Sequence, residues 1–330
     1  MKLLPYSNGL RKVSMKKHRT PKEIARIILI IIGVVLLIGF VYQKISNFIA
    51  KETLRQRVDY TTVDDKRMDF RLNGEGSYTI VFDGGIGGNL EQWTPVVDEL
   101  SDDNVTTFVY NRRGYGYSDL GEERTPKEQA QDLKILLRKA GAPEPYILVG
   151  EGYGALVLTS FAEQFKESVA GVMLINPLDE SYIGTKEYNN KQFFTKLRRK
   201  IEEIGSSFGL TELLDKLNLD VKLDDFENSI PEDELHEFKT QRTKTKYTTA
   251  VYDEINNLSK GLSNSQKEGV FSGIPYYLIT NSDGNNFKSL GDESLTKIYK
   301  TETKSEFLGL NSTENVVTGI RYIVKELQNK

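Results

Sequence analysis

Gly150-Glu151-Gly152-Tyr153-Gly154 has the spacing of a nucleophile elbow without its nucleophile. In the pattern G-x-S-x-G a serine sits on a tight turn from strand to helix, with its hydroxyl standing clear of the sheet and ready to attack an acyl carbon. The apolar residues 145–150 predict the strand, and residues 155–164 predict the helix. The centre is Gly152, which has no side chain to react. Glycine accepts a strained turn more readily than serine does, so the backbone can outlive the chemistry. Cysteine is absent, which removes thiol catalysis, disulfides and zinc–thiolate sites. The two histidines, His18 in a basic stretch and His236 in Glu234-Leu235-His236-Glu237, read as solvated surface side chains.

The elements that must position this turn alternate regularly. Residues 78–82 and 104–110 read as strands, the first preceded by a turn at Asn73-Gly74-Glu75-Gly76 and followed by the glycine-rich Asp83-Gly84-Gly85-Ile86-Gly87-Gly88. Thr125-Pro126-Lys127-Glu128 supplies an N-cap, a proline at the first helical position and an acidic first turn, and the helix it opens stops at Gly141. Further strands are expected at 169–176 and 274–280, and an amphipathic helix at 316–327. Short apolar strands alternating with helices predict an α/β fold, a mostly parallel sheet covered on both faces. Between about 178 and 269 the pattern changes to charged, helix-prone segments, read as an inserted cap.

Ahead of this body lies a different kind of segment. The first 22 residues carry Lys2, Arg11, Lys12, Lys16, Lys17, Arg19 and Lys22 and no acidic residue, and residues 27–42 form an uncharged apolar run. Arg26 and Gln43 can lie at the headgroups, which extends the run to membrane-spanning length. The reading is a basic cytoplasmic segment at 1–23, one transmembrane helix at 24–43 in contact with the lipid bilayer, a stalk at 44–66 and a globular domain at 67–330. The positive-inside rule places the N-terminus in the cytoplasm and the body outside, making a single-pass protein of the cell membrane. The net charge of −3 gives no basic field for a nucleic-acid partner. The 83–88 loop also lacks the G-K-[ST] ending of a phosphate-binding P-loop.

Residues 68–328 resemble the α/β-hydrolase superfamily, in the branch of prolyl iminopeptidases, esterases and haloalkane dehalogenases. The most specific piece is Asn111-Arg112-Arg113-Gly114-Tyr115-Gly116-Tyr117-Ser118-Asp119, close to the family's D-R-R-G-x-G-x-S-D loop. Asp132-Leu133, Leu136-Leu137 and the elbow follow in the family's order. The resemblance implies a Ser–acid–His triad. It places the serine at Gly152, the acid at Asp283 after the late strand, and the histidine at Glu306 in Ser305-Glu306-Phe307-Leu308-Gly309-Leu310. The oxyanion loop falls on Asp83, Gly84 and Gly85, with Asp83 where the family carries histidine. An anion there is expected to oppose an oxyanion. Ser118 is structural in the family, and Tyr153, next to the elbow centre, reads as a cleft-lining or packing residue.

What remains at the cleft is acidic. Asp83, Glu151, Asp283 and Glu306 all map to loops at the carboxyl ends of strands, the side on which this fold class binds ligands. Gathered together, they would repel unless a hard cation or an amine joined them. Held apart, they are ordinary solvated carboxylates. No cofactor is implied and no metal ligand set is assigned. The leading reading is a membrane-anchored pseudoenzyme that binds a small molecule, peptide or envelope component. The alternative is an active hydrolase of ester, amide or peptide bonds working through carboxylates, with Asp283 and Glu306 as acid and base. A third is an interaction scaffold whose cleft is filled by cap side chains.

Overall fold

The computed structural model describes residues 20–329 apart from 55–57, 220–222, 260, 263 and 283. In chain order its elements are α1 (Pro21–Leu54), β1 (Asp59–Val63), β2 (Lys66–Asn73), β3 (Thr79–Asp83), α2 (Thr94–Glu99), β4 (Thr106–Tyr110), α3 (Pro126–Ala140), β5 (Tyr146–Glu151), α4 (Tyr153–Gln164) and β6 (Val169–Ile175). The cap contributes α5 (Glu180–Ile183), α6 (Lys186–Ser206), α7 (Leu210–Lys216), α8 (Asp224–Glu227), α9 (Glu232–Arg242) and α10 (Thr245–Asn257). Then follow β7 (Tyr276–Thr280), α11 (Asn285–Lys288), β8 (Thr296–Lys300), α12 (Leu308–Asn311) and α13 (Thr313–Gln328).

The eight strands form one sheet in the order β1-β2-β4-β3-β5-β6-β7-β8. β1 pairs antiparallel with β2 and β2 with β4, while every other pairing is parallel. Strand alternation sorts the core into two layers. Leu148, Val172 and Leu174 face α3 and α4 through Leu133, Leu136, Leu156 and Phe161. Ile147, Val149 and Met173 face α2 and α13 through Val96, Val316, Ile320 and Ile323. Both faces are buried, which is why the central strands read as continuous apolar runs. The α3 N-terminus carries the capping box expected of Thr125 and Glu128, and Gly141 ends the helix with φ 75°.

The stretch read as a polar, partly helical stalk contains two elements. It is partly the continuation of α1 to Leu54, and its distal part is the edge strand β1, paired with β2 from Asp59↔Phe70 to Val63↔Lys66. An edge strand exposed on one side is polar, as a stalk is, so polarity alone does not separate the two. By length and composition, Pro21–Ser46 is apolar enough to cross a membrane. The predicted basic segment lies mostly outside the described residues.

Candidate functional site

The elbow is built as the spacing predicts. β5 ends at Glu151 and α4 begins at Tyr153, with Gly152 between them at φ 55° and ψ −109°. A Cβ on Gly154 would drive into the Asp83 carbonyl, and one on Gly150 would lie 2.8 Å from the Ala155 Cα. These two glycines therefore let α4 pack onto the sheet, and neither tolerates a side chain without a shift. Gly152 is half-buried.

The Gly154 N–H donates to the Gly84 carbonyl at 3.0 Å, tying the elbow to the glycine loop. The N–H groups of Gly85 and Tyr153, one from each side of that tie, meet no acceptor among the described residues. The first N–H groups of a helix have no intrahelical partner, so the Tyr153 donor is available by construction.

Asp83 is not an exposed anion on this loop. Its carboxylate pairs with the Arg112 guanidinium and accepts from the Tyr110 hydroxyl at 2.7 Å. Arg112 also donates to Glu254 on α10, at 2.7 and 3.2 Å, and to the carbonyls of Gly84 and Gly85, at 2.8 and 2.9 Å. Its guanidinium lies 5.0 Å from the Tyr115 ring centroid and 5.1 Å from that of Tyr153. Burial lifts the Asp83 carboxyl above the usual carboxylate range, while Arg112 and Tyr110 pull it back. The expected repulsion of an oxyanion is therefore offset by a cation buried against the same carboxylate. Sequence reading singled out Asp83 and passed over its partner. The available clue was the acid itself, since a carboxylate ending an apolar strand requires a nearby cation or several donors.

Glu151 is wholly buried and faces away from the cleft. It accepts from the backbone N–H of Leu308 and of Gly309, the latter at 3.4 Å, and from the Gln92 side-chain amide. Burial pushes its carboxyl up to about 8 against those donors. It ties the elbow to the start of α12. Tyr153 is also buried, with its hydroxyl 3.1 Å from the Gln129 amide nitrogen and its ring against Arg112.

Glu306 is exposed, and its backbone N–H donates to Asp225 at 3.2 Å. The Glu306 carbonyl would be 3.9 Å from a Cβ on Gly85, so the backbone at position 306 borders the glycine loop. Asp283 lies outside the described residues. Of the two arrangements open to these carboxylates, the three described ones are held apart: Asp83 is paired with Arg112, Glu151 is turned into the core and Glu306 faces solvent. Among the described residues no three of His, Cys, Asp or Glu are grouped to hold a metal ion.

Ser118 acts as a strut. Its hydroxyl accepts from the Asp69 N–H at 3.1 Å and lies 2.7 Å from Asp69 Oδ1 and 2.8 Å from the Asn111 carbonyl. Asn111 donates to Asp69 at 2.7 Å and accepts from the Leu90 N–H at 2.9 Å, which fixes the loop carrying Arg112.

The cap closes over the glycine loop with an aromatic wall. Tyr115, Phe226, Phe238, Tyr247 and Phe307 form one cluster. The Tyr247 hydroxyl donates to the Gly87 carbonyl at 2.6 Å, and the Gly87 N–H donates to the Tyr115 hydroxyl, which in turn donates to Glu254 at 2.7 Å. Behind Tyr247 a small cavity of about 80 Å³ is lined by Arg199, Leu214, Leu219, Leu223 and Arg242. Tyr247 and Leu223 thus connect this cavity to the loop beside the elbow. These contacts depend on folding the cap over the sheet and have no local signal in the sequence.

Comparison with known proteins agrees with this architecture. The alpha/beta hydrolase fold family matches residues 78–286. The uncharacterised protein YqjL of Bacillus subtilis is 34% identical over 105 residues, covering 32% of this chain and 41% of that protein. A proline iminopeptidase of Saccharolobus solfataricus is 24% identical over 142 residues, covering 42% of this chain and 43% of that protein. The chain thus spans less than half the length of these curated relatives. Among solved structures, the Cif epoxide hydrolase of Acinetobacter nosocomialis superposes with a TM-score of 0.65 at 11% identity, covering 85% of this chain and 96% of that one. A Vigna radiata epoxide hydrolase variant gives 0.63 at 17%, covering 82% and 99%. At such identities the structural likeness shows the fold alone. With its family match, its eight-stranded sheet and its elbow at Gly152, the chain belongs to the alpha/beta hydrolase fold family.

Proposed function

We propose that this protein is a membrane-anchored, outward-facing member of the family that binds a ligand and does not hydrolyse it through a covalent intermediate. One observation carries the reading. The elbow retains the turn that presents a nucleophile and has room for a Cβ at its centre, yet Gly152 provides no side chain. The neighbouring histidine is missing as well, because position 306 is glutamate and His236 lies on α9 in the cap. The donors of Gly85 and Tyr153 suit an acceptor group on the ligand, and the aromatic wall suits an apolar body. The anchor supporting this reading is the helix at 24–43, with the N-terminus placed in the cytoplasm by its basic flank.

The second reading is water attack assisted by carboxyls, with Asp283 and Glu306 as acid and base, and what supports it is that the Glu306 backbone borders Gly85. A serine-directed fluorophosphonate probe separates covalent serine chemistry from its absence. The full-length protein is expected to remain unlabelled while a serine hydrolase control is labelled; stoichiometric labelling of this chain would end the binding-protein reading. Protease added to intact cells is expected to digest the body, and complete protection would reverse the topology.

A further inference from the structure

The cap carries an apolar surface that the hydrolase fold does not bury. On α6, Phe193, Phe194, Leu197, Ile201 and Ile204 recur at helical spacing on one face and are exposed, Phe194 to 77%. On α7 and just after it, Leu210, Leu213, Leu217 and Leu219 are exposed too. An apolar area of this kind on a globular domain marks an interaction surface.

The same region is held to the apolar helix α1. Gly39 packs against the backbone of Phe208, between α6 and α7, so closely that any side chain there would strike the Phe208 carbonyl. Three residues on, the Tyr42 hydroxyl donates to Glu212 at 2.6 Å and accepts from Lys216 at 3.2 Å. One turn further, Lys244 donates to Ser46 at 2.6 Å. The cap is therefore fastened to the end of α1 at three successive levels.

We infer that the exposed α6–α7 face is seated in the bilayer beside α1, so that the cap is membrane-embedded on one side. The inference rests on the reading of α1 as a membrane span. Gln43 marks the expected interface, and at 1.5 Å per residue the Phe208 turn beside Gly39 sits ~6 Å further into the apolar section. An amphipathic helix lying in an interface buries its apolar face by ~5–10 Å, so the two depths agree.

The chain has no cysteine, so single cysteines can be placed freely. The full-length protein is reconstituted in phosphatidylcholine–phosphatidylglycerol vesicles, with an environment-sensitive fluorophore on Phe194→Cys, Leu213→Cys, Val34→Cys or Glu167→Cys. Val34 lies mid-helix in α1, and Glu167 is exposed just before β6, at the end of the sheet away from the cap. Quenching by doxyl lipid is expected to be about twofold or more stronger at 194 and 213 than at 167, with iodide quenching reduced to match. Strong lipid quenching at 34 with positions 194 and 213 behaving like 167 would overturn the embedded cap and leave the anchor standing. Absence of lipid quenching at 34 as well would overturn both.

Discussion

A Cβ placed on Gly152 would stand 3.8 Å from the Cα of Gly85 and meet no closer atom outside its chain neighbours. The centre of the elbow is thus vacant by composition and not by crowding. Its two flanking glycines are the sterically obligatory ones.

That contrast gives a stability prediction. Gly152→Ser keeps the fold, and the only cost is holding a side-chain-bearing residue at φ 55°, of the order of 1–3 kcal/mol. Gly154→Ser must displace the Asp83 carbonyl or α4 and is expected to cost clearly more. Denaturant unfolding of both variants checks the order, and equal losses would mean that the elbow is not packed as described.

Arg112 is the electrostatic centre of the loop, sharing its guanidinium between Asp83 and Glu254. Arg112→Met leaves two carboxylates buried without a cation, and removing one member of such a group typically costs about 3–5 kcal/mol. Adding Asp83→Asn to that variant removes one of the stranded charges and is expected to recover part of the loss. A double-mutant cycle with no coupling between 83 and 112 would contradict the pairing.

Glu151 makes stability depend on pH with a definite sign. Burial raises its carboxyl from 4.5 to about 8, so the folded protein holds a proton that the unfolded chain releases. The stability this contributes is complete below pH about 4.5, declines as the pH rises and is lost above about 8. Glu91, also buried and also near 8 beside Arg71, adds a fall of its own. The informative comparison is therefore between chains: from about pH 5 to about pH 9 the melting temperature should fall less in Glu151→Gln than in the wild type. Parallel curves would show that Glu151 keeps its ordinary ionisation.

Ser118→Ala tests the strut beneath Arg112. The variant leaves Asp69 and the Asn111 carbonyl short of a buried donor, a loss of about 1–3 kcal/mol. Its effect should appear in unfolding and leave ligand binding by the folded protein unchanged.

Much of the fold was legible because its signals are local. The α3 capping box, the apolar β5 and the glycines around the elbow each state their structure within a few residues. The edge strands β1 and β8 were missed because DYTTV and TKIYK are polar on their open sides and lack the apolar run of a central strand. The site was only partly legible. Position 152 could be read from spacing, but the direction in which Glu151 points is set by donors at 308 and 309 that sequence distance conceals. Likewise the Arg112–Glu254 pair joins residues separated by 142 positions, and only the folded cap brings them together.

The most direct test of the central claim is turnover by the full-length protein across short esters and aminoacyl amides, with Glu306→Ala and Asp283→Ala run beside it. The expected result is no rate above buffer for any of the three chains, since the elbow presents no nucleophile. Turnover by the wild type that falls in Glu306→Ala would contradict the account and establish a hydrolase working through its carboxylates.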